Sequence, residues 1–224
     1  MKHRSFARII NAAVAAVIAI AVFSSIPRGE AQDQNRPDSM ESRTQLGFLI
    51  APVPLKLTGK NRALVGLGSY LVNAVAGCNG CHSAGPATQY IRGGNPYFGQ
   101  AATTNAATYL GGGRDFGPLV PNSPHIISRN LTPDKTGRAE GGHTFEEFVQ
   151  IMQTGIDMDH VHPPCSASVT TNCLPRPFDG NLLQIMPWPD FQSMSEHDLR
   201  ALYEYLSAIP CLEGGPGEPA NRCD

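Results

Sequence analysis

The chain has 224 residues, with 17 Lys and Arg against 19 Asp and Glu, a formal net charge of −2 and no basic run. That balance argues against a nucleic-acid partner held through phosphate contacts, and the length suits one domain of ordinary size with a buried core. With 23 Gly and 19 Pro, much of the backbone between helices is expected to be irregular.

The N-terminal segment sets the compartment. Lys2, Arg4 and Arg8 precede a run from Ile9 to Phe23 that is apolar except for Asn11, and Gly29-Glu30-Ala31 places small residues where a signal peptidase reads. Residues 1–31 are predicted to be a secretory signal, so that the mature protein begins near Gln32 in the periplasm. Retained, the same segment would be a membrane anchor. Its removal takes four of the 17 basic residues and one of the 19 acidic ones, leaving 13 against 18 and a net charge of −5 over 193 residues. A mildly acidic surface speeds association with a basic docking partner without identifying it.

Residues 32–60 read as an extended N-terminal segment. They begin polar and end in Phe48-Leu49-Ile50-Ala51-Pro52-Val53-Pro54-Leu55, too proline-rich for a helix. From Asn61, Leu64, Leu67, Leu71 and Val75 recur at helical spacing, with Thr58-Gly59 as a start and Gly77 as an exit. Gly66 and Gly68 weaken this helix unless another helix packs closely on them.

The helix leads into Cys78-Asn79-Gly80-Cys81-His82. Cys-x-x-Cys-His is the attachment signature of c-type haem. Two thiols three residues apart can each add to one vinyl group of a single porphyrin, and the next residue presents an imidazole nitrogen to iron. A redox dithiol is expected in a thioredoxin-like βαβ context, and a zinc site needs further ligands at matching spacing. Neither is visible here. One motif predicts one covalent haem c, on Cys78 and Cys81 with His82 on iron.

Tyr90 to Pro124 is rich in Gly, Asn and Pro, and long loops of this kind are expected to wrap the haem edges and shield iron. Thr144 to about Gln153 reads as a helix burying Phe145, Phe148, Val149 and Met152 and ended by Gly155. Another runs from Glu196 to about Ala208, with Ser195 as N-cap, Met194 stapled on Leu199, and Pro210 closing it.

The sixth iron ligand comes from the Met and His residues. Met152 lies on an apolar helical stripe and Met194 has its staple role. Met158 lies in a loop without special geometry, and His160 and His162 are the alternatives to Met186. Met186-Pro187-Trp188-Pro189 is braced by two prolines, so Met186 is the predicted distal ligand. The remaining cysteines form two close pairs, Cys165/Cys173 and Cys211/Cys223, expected as disulfides in an exported chain.

The helix, the Cys-x-x-Cys-His motif, the Met-Pro loop and a closing helix ending in Tyr205-Leu206 together resemble a class I cytochrome c domain. Gly112-Gly113-Arg114, Ser128-Arg129-Asn130-Leu131-Thr132-Pro133-Asp134, Phe145-Glu146-Glu147-Phe148 and Met186-Pro187-Trp188-Pro189-Asp190-Phe191 are similar to the cytochrome subunits of membrane-associated bacterial alcohol and gluconate dehydrogenases. The resemblance implies an all-α cytochrome c-like fold over 61–210, followed by a disulfide-tied tail at 211–224. It also implies a loop Asn130–Asp134 bordering the haem, with Asn130 near a propionate. The expected function is single-electron transfer between a dehydrogenase donor and an oxidase or other cytochrome acceptor. Those subunits usually carry three haem domains and this chain one, so membership of such a complex does not follow. No nucleophile–base pair or second cofactor site appears. The alternative is a haem enzyme or gas-binding protein with an open sixth site.

Overall fold

A computed structural model describes residues 39–214 and 221–224; the expected signal segment lies outside them. The framework begins with α1 (Met40–Ile50) and α2 (Arg62–Tyr70). The Asn61 carboxamide caps α2 by accepting from the amides of Ala63 and Leu64 at 3.0 and 3.3 Å, which satisfies amides that a helix start leaves unpaired. The helix widens into a π-turn, Leu71–Val75, and ends at Gly77 with φ +61°. An extra residue in that turn rotates the chain off the apolar stripe, and Val75, expected inside, is 60% exposed.

α1 corrects the reading of residues 32–60 as extended. The prolines begin only at Pro52, so they end the helix rather than prevent it. The two small residues of α2 each meet a neighbour. A Cβ on Gly66 would lie 2.7 Å from side-chain and backbone atoms of Thr44 in α1. On Gly68 it would lie 1.9 Å from the Ala201 carbonyl oxygen in the C-terminal helix.

After α3 (Pro86–Gln89), the chain forms β1 (Asp115–Pro118) and β2 (His125–Ile127), an antiparallel pair with Asp115 opposite Ile127 and Pro118 opposite His125. Then follow α4 (Phe145–Thr154), α5 (Trp188–Phe191) and α6 (Glu196–Leu206). The all-α expectation is therefore corrected: the described residues carry six short helices and a two-stranded sheet joined by much irregular chain, a mixed fold. The physical cause is local. Gly117 at φ +78° and Pro118, which lacks an amide hydrogen, exclude helix in this stretch.

α4 and α6 start as expected. Thr144 and Glu147 form a reciprocal capping box, and Ser195 accepts from the Asp198 amide at 3.1 Å. The core gathers Val65, Val72, Tyr109, Leu110, Leu199, Tyr205 and Ile209, all nearly inaccessible. Within it the Tyr109 hydroxyl donates to Asn73 Oδ1 at 2.6 Å and lies 2.8 Å from the Tyr205 hydroxyl. Both expected disulfides, Cys165–Cys173 and Cys211–Cys223, are formed. Among the described residues, no helix is long and apolar enough to cross a membrane.

Candidate functional site

Hydrogen bonds within its turn and from later in the chain hold the segment Cys78–His82. Cys78–Gly80 is a single 3-10 turn, and the His82 amide donates to the Cys78 carbonyl at 2.9 Å. Asn79 is buried, and its Oδ1 accepts from the Leu110 amide at 2.9 Å. The Gly112 amide donates to the His82 carbonyl at 2.9 Å, and the Arg114 guanidinium to that of Gly80. Cys78 and Cys81 are free thiols, Cys81 exposed and Cys78 partly buried against the core. Burial pushes the Cys78 thiol up to about 12.

His82 is oriented by the backbone. Its Nδ1 lies 2.8 Å from the Arg129 carbonyl oxygen, an acceptor, so Nδ1 carries the hydrogen and Nε2 keeps its lone pair for a metal. Desolvation lowers the pKa, an effect the Arg129 carbonyl opposes and the Arg129 charge reinforces. The neutral ring, the form that ligates, is thereby favoured. Gly112, with φ +71°, allows this approach, since a Cβ there would stand 2.5 Å from the Arg129 carbonyl carbon. The Arg129 guanidinium pairs with Asp157 at 2.5 Å and with Asp159.

Met186 reaches the same space from a loop anchored at the end of α4. The Leu183 amide donates to the Gly155 carbonyl at 2.7 Å, and Trp188 Nε1 to the Leu183 carbonyl at 3.2 Å. The indole lies directly over Gly155, where a Cβ would sit 2.3 Å from the ring. The two prolines seen in the sequence thus act together with a glycine contact that spacing alone does not reveal.

A cavity of about 780 Å³ joins these parts. Cys81, His82 and Met186 line it, whereas Cys78 does not. Of the other candidates, Met158 and His160 are not on its wall, and Met152 and Met194 pack in or against the core. His162 lines the cavity, and its Nδ1 is a buried atom without a hydrogen-bond partner among the described residues. From Tyr90–Pro124 only Phe116 reaches the cavity, so this stretch does not wrap it as expected; the segment from Asp157 to Pro187 supplies that wall instead.

Asn130 and Asp134 also line the cavity. The Asn130 amide donates to the Leu212 carbonyl at 3.0 Å, while Oδ1 accepts from the Thr132 amide and hydroxyl at 2.9 and 2.7 Å. These bonds fold the side chain's own loop while it stays on the cavity wall. Two cavity residues were not legible in the sequence. Glu140 is 8% exposed, and desolvation raises its carboxyl to about 7 despite the nearby Arg129 and Arg222. Arg222, beside Cys223 of the C-terminal disulfide, donates to the Asn130 and Thr132 carbonyls at 3.1 and 2.5 Å.

The residues present fit a haem. The cavity is within the usual size for a cofactor pocket, a backbone-oriented imidazole faces it, and a thioether approaches from a separate segment. Among the described residues, no group of three or more His, Cys, Asp or Glu side chains is placed to hold a bare metal ion.

No protein-family model matches the chain. A gluconate 2-dehydrogenase cytochrome c subunit from Pantoea cypripedii is 26% identical to it over 146 residues, which is 65% of this chain and 23% of that protein. The chain thus matches about a quarter of the length of this curated relative, and the likeness supports a cytochrome c-like relationship.

Proposed function

We propose that the chain is an exported monohaem cytochrome c, residing in the periplasm, that transfers single electrons between a dehydrogenase donor and an oxidase or other cytochrome. The observation that carries this reading is that His82 and Met186, 104 positions apart, line one cavity with Cys81. The cytochrome subunit that the chain resembles makes a dehydrogenase-type donor a reasonable partner.

Cys78 and Cys81 would hold the porphyrin by thioether bonds, with His82 and Met186 on iron. Bound there, the haem supplies reversible one-electron exchange. The Arg129 carbonyl keeps the His82 ring in the ligating tautomer. Trp188, seated on Gly155, sets the depth of the Met186 loop. A neutral thioether ligand beside histidine would favour the ferrous state and raise the potential relative to two nitrogen ligands. With His82 and Met186 both holding the haem, the group would be left to exchange electrons rather than bind substrate.

Mass spectrometry of protein exported from a host able to mature c-type cytochromes is expected to show the polypeptide plus one haem, retained through acid–acetone extraction. An unmodified chain refutes the reading. Met186→Ala is expected to abolish the ferric thioether charge-transfer band and admit cyanide or carbon monoxide, with the haem still attached. Rapid carbon monoxide binding by the unmodified ferrous protein would replace the carrier with an open-site haem protein.

A further inference from the structure

Glu140 is a buried acid that the electron-transfer reading does not use. Its residue is 92% shielded, yet the carboxyl makes no hydrogen bond among the described residues and lies on the cavity wall. The backbone holds it there in a left-handed conformation, φ +48°, with its amide bonded to the Leu131 carbonyl at 3.2 Å. A strained, non-glycine residue kept in such a place has a fixed direction.

The surrounding charges leave this acid close to balance between its two forms. Arg129 and Arg222 favour the carboxylate, and Asp157 opposes it. Both cations are engaged elsewhere, Arg129 with Asp157 and Asp159, Arg222 with the Asn130 and Thr132 carbonyls. Asp134 and Lys135 add one charge of each sign to the same wall. Desolvation is therefore the dominant influence, and the carboxyl titrates near 7.

We infer that Glu140 exchanges a proton with solvent in step with the redox state of the cavity, so that the protein moves a proton together with its electron. The inference rests on the haem reading above. When the reduced protein passes one electron to its acceptor, the cavity gains one positive charge. In a poorly screened interior that charge favours the carboxylate, and the Glu140 O–H bond breaks, releasing its proton to solvent. Reduction by the donor returns one electron, and the carboxylate takes one proton back. Linkage makes the effect reciprocal: a deprotonated Glu140 stabilises the oxidised state, so the midpoint potential falls as pH rises through the neutral range.

The test uses the intact haem-loaded protein. Its midpoint potential is expected to fall with pH around neutrality, and oxidation by ferricyanide, which takes an electron and no proton, should acidify an unbuffered solution containing an indicator dye. In Glu140→Gln the slope and the acidification should both be lost, while the thioether charge-transfer band persists. A second measurement needs no variant: the redox difference infrared spectrum of the unmodified protein should show a carboxylic acid carbonyl band lost on oxidation. A flat potential in the unmodified protein, absence of that band, or a pH slope that survives in Glu140→Gln overturns the inference. Absence of any haem redox wave instead overturns the haem reading on which it stands.

Discussion

Replacing Gly155 by Ala probes the link between the end of α4 and the Met186 loop. Gly155 has φ +70°, where a Cβ costs about 1–2 kcal/mol. The new methyl group would also meet the Trp188 indole at 2.3–2.4 Å, and the ring must retreat by at least about 0.7 Å to reach the 3.0 Å that Cβ contacts respect. The indole cannot swing away freely, because its Nε1 is bonded to the Leu183 carbonyl and Leu183 is bonded in turn to Gly155. Overpacking of this kind adds roughly 1–3 kcal/mol, so Gly155→Ala should destabilise the protein by about 2–5 kcal/mol in denaturant unfolding. Because Trp188 is the chain's single tryptophan, its fluorescence reports the displacement directly. Movement of the ring carries Met186 with it, so on the proposed ligation the thioether charge-transfer band should weaken while the haem stays attached. Full stability with an unchanged band would refute the claim that this contact sets the loop.

Gly68→Ala places a Cβ 1.9 Å from the Ala201 carbonyl oxygen and 2.7 Å from Tyr205 Cβ. The strain should exceed the roughly 1 kcal/mol that Ala gains over Gly in a helix, giving a net loss of about 2 kcal/mol or more; a thermally neutral variant would show that α2 and α6 do not pack this closely. Unfolding stability should also fall with rising pH on account of Glu140. The unfolded acid releases its proton near 4.5 and the folded one near 7, so its contribution is intact below pH 4.5 and is lost as pH rises to 7. The full change is roughly 3 kcal/mol. Urea titrations of unmodified protein and Glu140→Gln at pH 4 and 8 should diverge at the higher pH, and a constant difference would contradict the burial of this acid.

Features carried by short-range spacing were legible in the sequence. Gly77, the helix start at Thr144, Ser195 and both disulfide pairs occupy the places that their local chemistry dictates, whereas α2 starts at Asn61 and not at the expected Thr58-Gly59. The two-stranded sheet was not, since strands of four and three residues are too short for alternation to emerge. α1 was obscured because it carries no apolar stripe and Pro52 and Pro54 follow it closely. At the candidate site, His82 and Met186 stood out by motif and bracing, but their supports did not. The Arg129 carbonyl is a backbone group, and no residue type announces it. Glu140 and Arg222 come from an irregular turn and from the chain terminus, and only tertiary folding brings them to the same cavity.

The partly buried thiol of Cys78 bears on the order of events during biogenesis. With its thiol pushed to about 12, almost none is ionised at neutral pH, and the thiolate is the reactive nucleophile. It packs against the core to which Tyr109 and Tyr205, 96 positions apart, both belong. On the proposed haem attachment, a thioether at Cys78 should form more readily while the polypeptide is still open and the thiol wet. By the same proposal, a chain that folds first should react poorly at this position. Exposed Cys81 faces no such deadline, and premature folding should yield protein joined through that single sulfur.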